Sequence, residues 1–186
     1  ALAEYHGARL TAGVVALLGA AVMIVFGDRL LAIFGDYGRA LPVALVLSAA
    51  MLVRTLTGAA GEYAAVTGHS GVVLASSAGA LGVMLVAALG LVPPFGGVGM
   101  ALAVLLGATW NNAWILVWAG RSARVALMGR ATAAGLCVSV VALPLVAYGA
   151  IDRPLGVVLV LLVTGWLLWM NRATLMRLTS ATRVSS

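Results

Sequence analysis

The sequence predicts an all-α integral membrane protein, one bundle of six transmembrane helices over residues 1–186. Three observations carry this expectation. Of the residues, 63% are hydrophobic and 9% charged, with a mean hydropathy of +1.14, whereas a soluble domain carries about 25% charged residues. Six stretches are apolar over the length, roughly 17–25 residues, that a helix needs to cross a bilayer. None of the six alternates polar and apolar residues as a barrel strand would, and a backbone in lipid must satisfy its own hydrogen bonds, which leaves helices.

Taken in order, the first span covers about residues 10–26 and gives way to "GDRLLAIFGDYGR"; the second, 40–67, ends at "TGHSG". The third, 71–91, stops at "PPFGG"; the fourth, 98–119, runs into "GRSARVALMGR"; the fifth, 131–150, is parted by "IDRP" from the sixth, 155–170. In each separator Gly or Pro can end a helix and polar groups can meet water. Pro144, inside the fifth span, predicts a kink near its end. Small residues recur at helix-contact spacing, Gly99, Ala103 and Gly107 on the fourth span and Ala75 and Gly79 on the third. They let backbones approach closely and argue for a packed bundle, although an Ala- and Gly-rich composition yields such spacing by chance as readily. The opening "ALAEYHGARL" has no initiator Met, basic n-region or cleavage site, so it is no secretory signal and suggests a segment of a longer protein.

Six crossings place both ends on one side, which sorts the arginines. Arg9, Arg121, Arg124, Arg130, Arg172, Arg177 and Arg183 fall on the side of the termini, and Arg29, Arg39 and Arg153, accompanied by Asp28, Asp36 and Asp152, on the other. By the positive-inside rule both ends are cytoplasmic and the protein sits in the cytoplasmic membrane. Aromatic residues repeat the division: Tyr63, Trp114, Trp118, Trp166 and Trp169 near the inner ends, Phe34, Tyr37, Phe95 and Tyr148 near the outer ones. That is a double interfacial belt.

The net charge of +6 comes from 11 basic and 5 acidic residues scattered over loops and ends. No basic stripe with interleaved aromatics forms, so no nucleic-acid partner is expected, and anionic membrane lipids are the default partner. Every basic residue is Arg, a pattern that coding bias explains. Cys137, alone in an apolar run, reads as packing; no disulfide framework, metal site or cofactor can be built. The string Gly68-His69-Ser70-Gly71 spells the G-x-S-G of an intramembrane serine protease, but the only histidines are His6 and His69. Neither lies on a facing helix to take the serine proton, and a tight turn capped by Ser70 accounts for the string. With no H-E-x-x-H, phosphate-binding loop or paired carboxylates, the chain is not expected to be an enzyme.

The candidate pathway residues are Arg54, Glu62, Asn111 and Asn112. Arg54 lies about 21 Å along the second span, close to the bilayer midplane, where an arginine costs roughly 2.5–3.5 kcal/mol. Such a residue faces a bundle interior or a water-filled cavity, or it is a structural arginine tied to backbone carbonyls. Gly58 and Gly61 follow it on the same face. Glu62 is about 12 Å further along the helix and about 80° around it, too far to pair directly with Arg54; it partners another helix or anchors the inner interface. Asn111 and Asn112 are amides at hydrocarbon depth, equally suited to helix–helix hydrogen bonds and to substrate contact. Trp110, Trp114 and Trp118, at helical spacing, read as packing and belt.

The stretch "RLLAIFGDYGRALPVALVLSAAMLV" resembles a recurrent passage of the polysaccharide (O-antigen type) flippases, and "LVPPFGGVGMALAVLL" is similar to their Pro-x-x-Gly-containing signature. Between them "TGHSG" stands where that family has Gly followed by a basic residue, here His69; the similarity covers Leu30–Leu106. The resemblance implies part of the C-terminal lobe of a transporter of the multidrug, oligosaccharidyl-lipid and polysaccharide exporter superfamily, with a MATE-like fold. An N-terminal lobe of the same protein would complete a central cavity. The implied function is alternating-access flipping of a lipid-diphosphate-linked saccharide, with Arg54 meeting the anionic headgroup and a polysaccharide polymerase as a possible partner. Two alternatives are a cation-coupled multidrug exporter of the same superfamily and a non-transporting scaffold for polysaccharide biosynthesis.

Overall fold

A computed structural model describes residues 2–35, 37, 40–57, 60–123, 130–149 and 151–170. Helix α1 spans Leu2–Ala32, α2 Leu41–Thr57, α3 Ala60–Val66 and α4 Ser70–Trp118; a π-helical turn, Ala119–Ala123, follows, then α5, Arg130–Ala147, and α6, Arg153–Met170. The fold is all-α, with no strand among the described residues.

The boundaries differ from the expected ones in three places. Helix α1 continues through Asp28 and Arg29, because "DRLLA" contains no helix breaker, and the chain turns only at Gly35. Over the stretch 40–67, expected as one span, α2 and α3 are described, and residues 58 and 59 between them lie outside the described residues. Pro144 stands in the last turn of α5, one turn before Gly149 takes a positive φ. The expected kink point is therefore a terminus. Ser70 is the first residue of α4 and not its cap: His69 holds the N-cap position and makes no side-chain capping bond. Gly68 closes α3 instead, at φ 80°, with its N–H bonded to Ala65 O and that of His69 to Ala64 O. This is a Schellman closure, which needs the left-handed conformation glycine adopts without strain.

The long α4 folds back on itself. Gly96 has φ 55° and ψ −130°, immediately after Pro93 and Pro94. In a straight helix Gly79 and Trp110 would be about 46 Å apart; here the indole lies against the Gly79 backbone. Gly107 abuts Ala80 and Met84, and Gly99 abuts Leu91. Residues 70–95 and 97–118 are thus two antiparallel arms, and the glycines expected to mediate close approach are the points where the arms touch.

The core is built from α1, α2, the second arm of α4, α5 and α6, around Leu17, Ile24, Val46, Leu52, Leu143 and Leu167. Helix α2 is central and packs on α1, on α4 and on α5. The second arm runs parallel to α2: Gly97 sits against Val43 and Asn112 against Thr57, so the register is nearly constant. The first arm contributes only Ser76 to the buried set.

Thr11–Ala32 and Ser70–Arg121 are long and apolar enough to cross a membrane. Leu41–Thr55 and Arg153–Trp169 are shorter apolar helices. Only 6% of the apolar window in Ser70–Arg121 is buried, with Leu74 73% and Leu89 80% exposed. The core helix of a soluble protein buries such a surface; this one offers it to lipid or to another apolar partner. Hydroxyls follow the same logic: Ser48, Thr55, Thr109 and Thr164 each donate to the carbonyl four residues back. They satisfy themselves within their own helix.

Residues expected to share an end of the bundle do so. Asp28 and Arg153 form an ion pair, and the Phe95 and Tyr148 rings meet edge to face at 6.0 Å. At the other end His69 lies against Trp118, with centroids 4.9 Å apart. Cys137 is a free, exposed thiol beside the exposed Val138, which corrects its assignment to packing.

Candidate functional site

A cavity of about 670 Å³ opens between α2, α3 and the two arms of α4. Three of the four candidate residues line it: Arg54 from α2, and Asn111 and Asn112 from the second arm. They converge because the two helices are parallel and begin at the same end. Arg54 lies about 20 Å along α2 from Leu41, and Asn111 about 21 Å along the second arm from Gly97, at 1.5 Å per residue. The side chain of Glu62 lies outside the described residues. The expected spacing between Arg54 and Glu62 spans residues 58 and 59, which also lie outside the described residues.

The two asparagines divide the roles that the sequence left open. Asn112 is buried at 8% exposure, and its Nδ2 donates to Ala108 O at 2.8 Å. This fixes the amide so that Oδ1 faces the buried hydroxyl of Thr57, 2.7 Å away. The single hydroxyl proton is shared with Val53 O at 2.6 Å and Arg54 O at 3.2 Å. Asn112 therefore ties α4 to α2. Thr57 was missed by sequence reasoning; the available signal was a hydroxyl three residues after Arg54, hence on the same face of the helix.

Asn111 is different. Its Oδ1 is buried and has no hydrogen-bond partner, although the large majority of buried polar atoms have one. The Arg54 side chain is exposed to the cavity, and no hydrogen bond or ion pair joins its guanidinium to another described residue. Among the described residues, one cavity thus holds five N–H donors on a cation with no partner and one unused acceptor. Around them the wall is apolar or small: Met51, Leu81, Met84, Val104, Gly107 and Ile115. Gly107 keeps the wall open, since a Cβ there would come within 3.1 Å of Ala80 O.

This arrangement suits an anion with a hydrogen-bond donor close by. Among the described residues no group of three or more metal-ligating side chains forms, and the His69 ring makes its one described hydrogen-bonding contact, 3.3 Å, with Thr67 Oγ1 and none with Ser70. Comparison of the chain with family models, with curated proteins and with solved structures gives no match.

The Thr57–Asn112 tie makes a prediction about stability. Thr57→Val is nearly isosteric but strands Asn112 Oδ1, and Asn112→Leu strands no acceptor but loses the bond to Ala108. Interhelical hydrogen bonds in membranes contribute about 0.6 kcal/mol on average and up to about 1.7, so each change should lower the melting temperature of the purified protein. The double variant should be less destabilised than the sum, with a coupling of about 0.5 kcal/mol or more. Strict additivity would mean that the two side chains do not interact.

Proposed function

We propose that the protein is a multi-pass transporter of the cytoplasmic membrane that carries an anionic lipid-linked saccharide across the bilayer, its diphosphate recognised in the cavity at Arg54. The observation behind this reading is the contrast within one bundle. Hydroxyls in apolar helices are hydrogen-bonded within the protein, while among the described residues Arg54 and Asn111, at one depth and facing one cavity, keep unused hydrogen-bonding capacity. An ionisable group held at membrane depth marks a substrate or ion path by default. A cation with a planar fork of donors suits phosphate oxygens, and the neighbouring amide oxygen suits a sugar hydroxyl. The resemblance over Leu30–Leu106 points the same way, and it implies a second lobe that closes the cavity from the far side.

Six crossings with both ends of the segment cytoplasmic belong to this reading. In a Cys137→Ala background, cysteines at Tyr37 and Phe95 should label from outside intact cells, and one at Ser122 only after permeabilisation. Any other pattern removes the topology. Function is tested by expressing the whole protein in a strain lacking its gene and measuring surface polysaccharide and drug efflux. Restored polysaccharide supports the proposal. Restored drug tolerance with unchanged polysaccharide replaces it with an exporter, and restored polysaccharide with a transport-dead Arg54 variant replaces it with a scaffold.

A further inference from the structure

A second cavity, of about 410 Å³, lies apart from the first, along one stripe of the second arm of α4 and the π-helical turn. It is lined by Trp110, Ala113, Trp114, Val117, Trp118 and Arg121. The Trp110 and Trp114 rings stand 5.8 Å apart, 31° from parallel. Trp118 is braced by the His69 ring, and Trp110 by the Gly79 backbone. These contacts hold the indoles upright, so a groove persists between them although Trp110 is 42% and Trp114 47% exposed. Belt tryptophans are expected at the headgroup level; this series instead runs about 12 Å along the helix from Trp118 to Trp110, from the interface into hydrocarbon depth.

At the interfacial end the wider π turn, Ala119–Ala123, places Arg121 on the same stripe. Such turns are rare and recur at functional sites. Arg121 is exposed, and no hydrogen bond or ion pair ties it to another described residue. An apolar aromatic slot capped by an available cation is complementary to one chemistry, an acyl chain ending in an anionic headgroup. We infer that the stripe from Trp110 to Arg121 is a binding site for an anionic glycerophospholipid, its acyl chain between the indoles and its phosphate on Arg121. The inference rests on the membrane reading given above but not on the transport reaction, because the Arg54 cavity shares none of these residues.

The test uses the purified protein, delipidated in detergent and offered equimolar phosphatidylglycerol and phosphatidylcholine, with retained lipid counted by native mass spectrometry. A basic side chain near a headgroup gives about a fivefold preference, so phosphatidylglycerol should be retained about fivefold over phosphatidylcholine. Arg121→Gln should abolish the preference, whereas Arg29→Gln, the same loss of charge at the opposite end of the bundle, should leave it intact. Trp114→Ala should lower retention of both lipids. Equal retention by the wild type, an equal effect of Arg29→Gln, or an unchanged preference in Arg121→Gln overturns the site. If the protein fails to partition into membranes at all, the membrane reading fails with it.

Discussion

Gly99→Ala is expected to leave little folded protein, although it adds a single methyl group to a helix. A Cβ at position 99 would stand 2.1 Å from Leu91 O, 2.5 Å from Leu91 C and 2.9 Å from Val92 N. All three atoms belong to the backbone of the opposing arm, so no rotamer change relieves the clash and the hairpin at Gly96 has to open. Overpacking a well-packed site costs about 1–3 kcal/mol when side chains can adjust, and here they cannot. Two neighbours calibrate the effect. At Gly79 a Cβ would meet Trp110 Nε1 at 2.6 Å, but that half-exposed indole can swing away, and Gly79→Ala should be moderately destabilised. Around Gly82 nothing lies within 4 Å, and Ala there gains about 1 kcal/mol of helix propensity, so Gly82→Ala should melt at or above the wild-type temperature. Fluorescence-detected size-exclusion and thermal melts of the three variants measure the order. A wild-type melt for Gly99→Ala would mean that the two arms of α4 do not pack as described.

These glycines show how far the sequence could be read. Each of the six apolar stretches contains described helix, and "PPFGG" located the reversal, because Pro and Gly act on the backbone locally. The spacing of Gly99, Ala103 and Gly107 announced a contact but not its partner. Only the antiparallel return of the chain decides that Gly99 meets Leu91 and Gly107 meets Ala80. Helix ends were less legible: "DRLLA" is polar enough to suggest water yet continues α1 without a break, since charge alone does not terminate a helix.

The candidate site was legible by composition and illegible by geometry. Arg54, Asn111 and Asn112 stood out as polar residues in apolar runs, and they do share one cavity. That Asn112 is structural and Asn111 unpartnered could not be read, because adjacent residues point about 100° apart on a helix. Which of them meets α2 depends on the register between α2 and the second arm. Thr57 escaped notice for the same reason. The Trp110, Trp114 and Trp118 stripe was read as packing and belt, but packing explains its bracing against Gly79 and His69 and leaves the groove open.

Arg54→Ala should lower polysaccharide export per molecule about tenfold or more while leaving membrane abundance near normal. A hydrogen bond to a charged group contributes about 1.5–3 kcal/mol, and a phosphate bound by a guanidinium uses at least one. Abundance should hold because no described residue depends on the Arg54 side chain, so truncation strands no described partner. Arg54→Lys should keep part of the activity: an ammonium supplies the charge but not the planar fork that meets two phosphate oxygens at once. A structural arginine predicts the reverse, since removing one member of a buried polar pair costs several kcal/mol and lowers the amount of folded protein. Asn111→Leu separates the two contacts further. It removes the unpartnered Oδ1 and leaves the cation, so it should reduce export less than Arg54→Ala and should not destabilise the protein. The measurement is complementation of export by the whole protein, normalised to its immunoblot. The reading is abandoned if Arg54→Ala exports at the wild-type level per molecule, or if its entire defect follows lost protein.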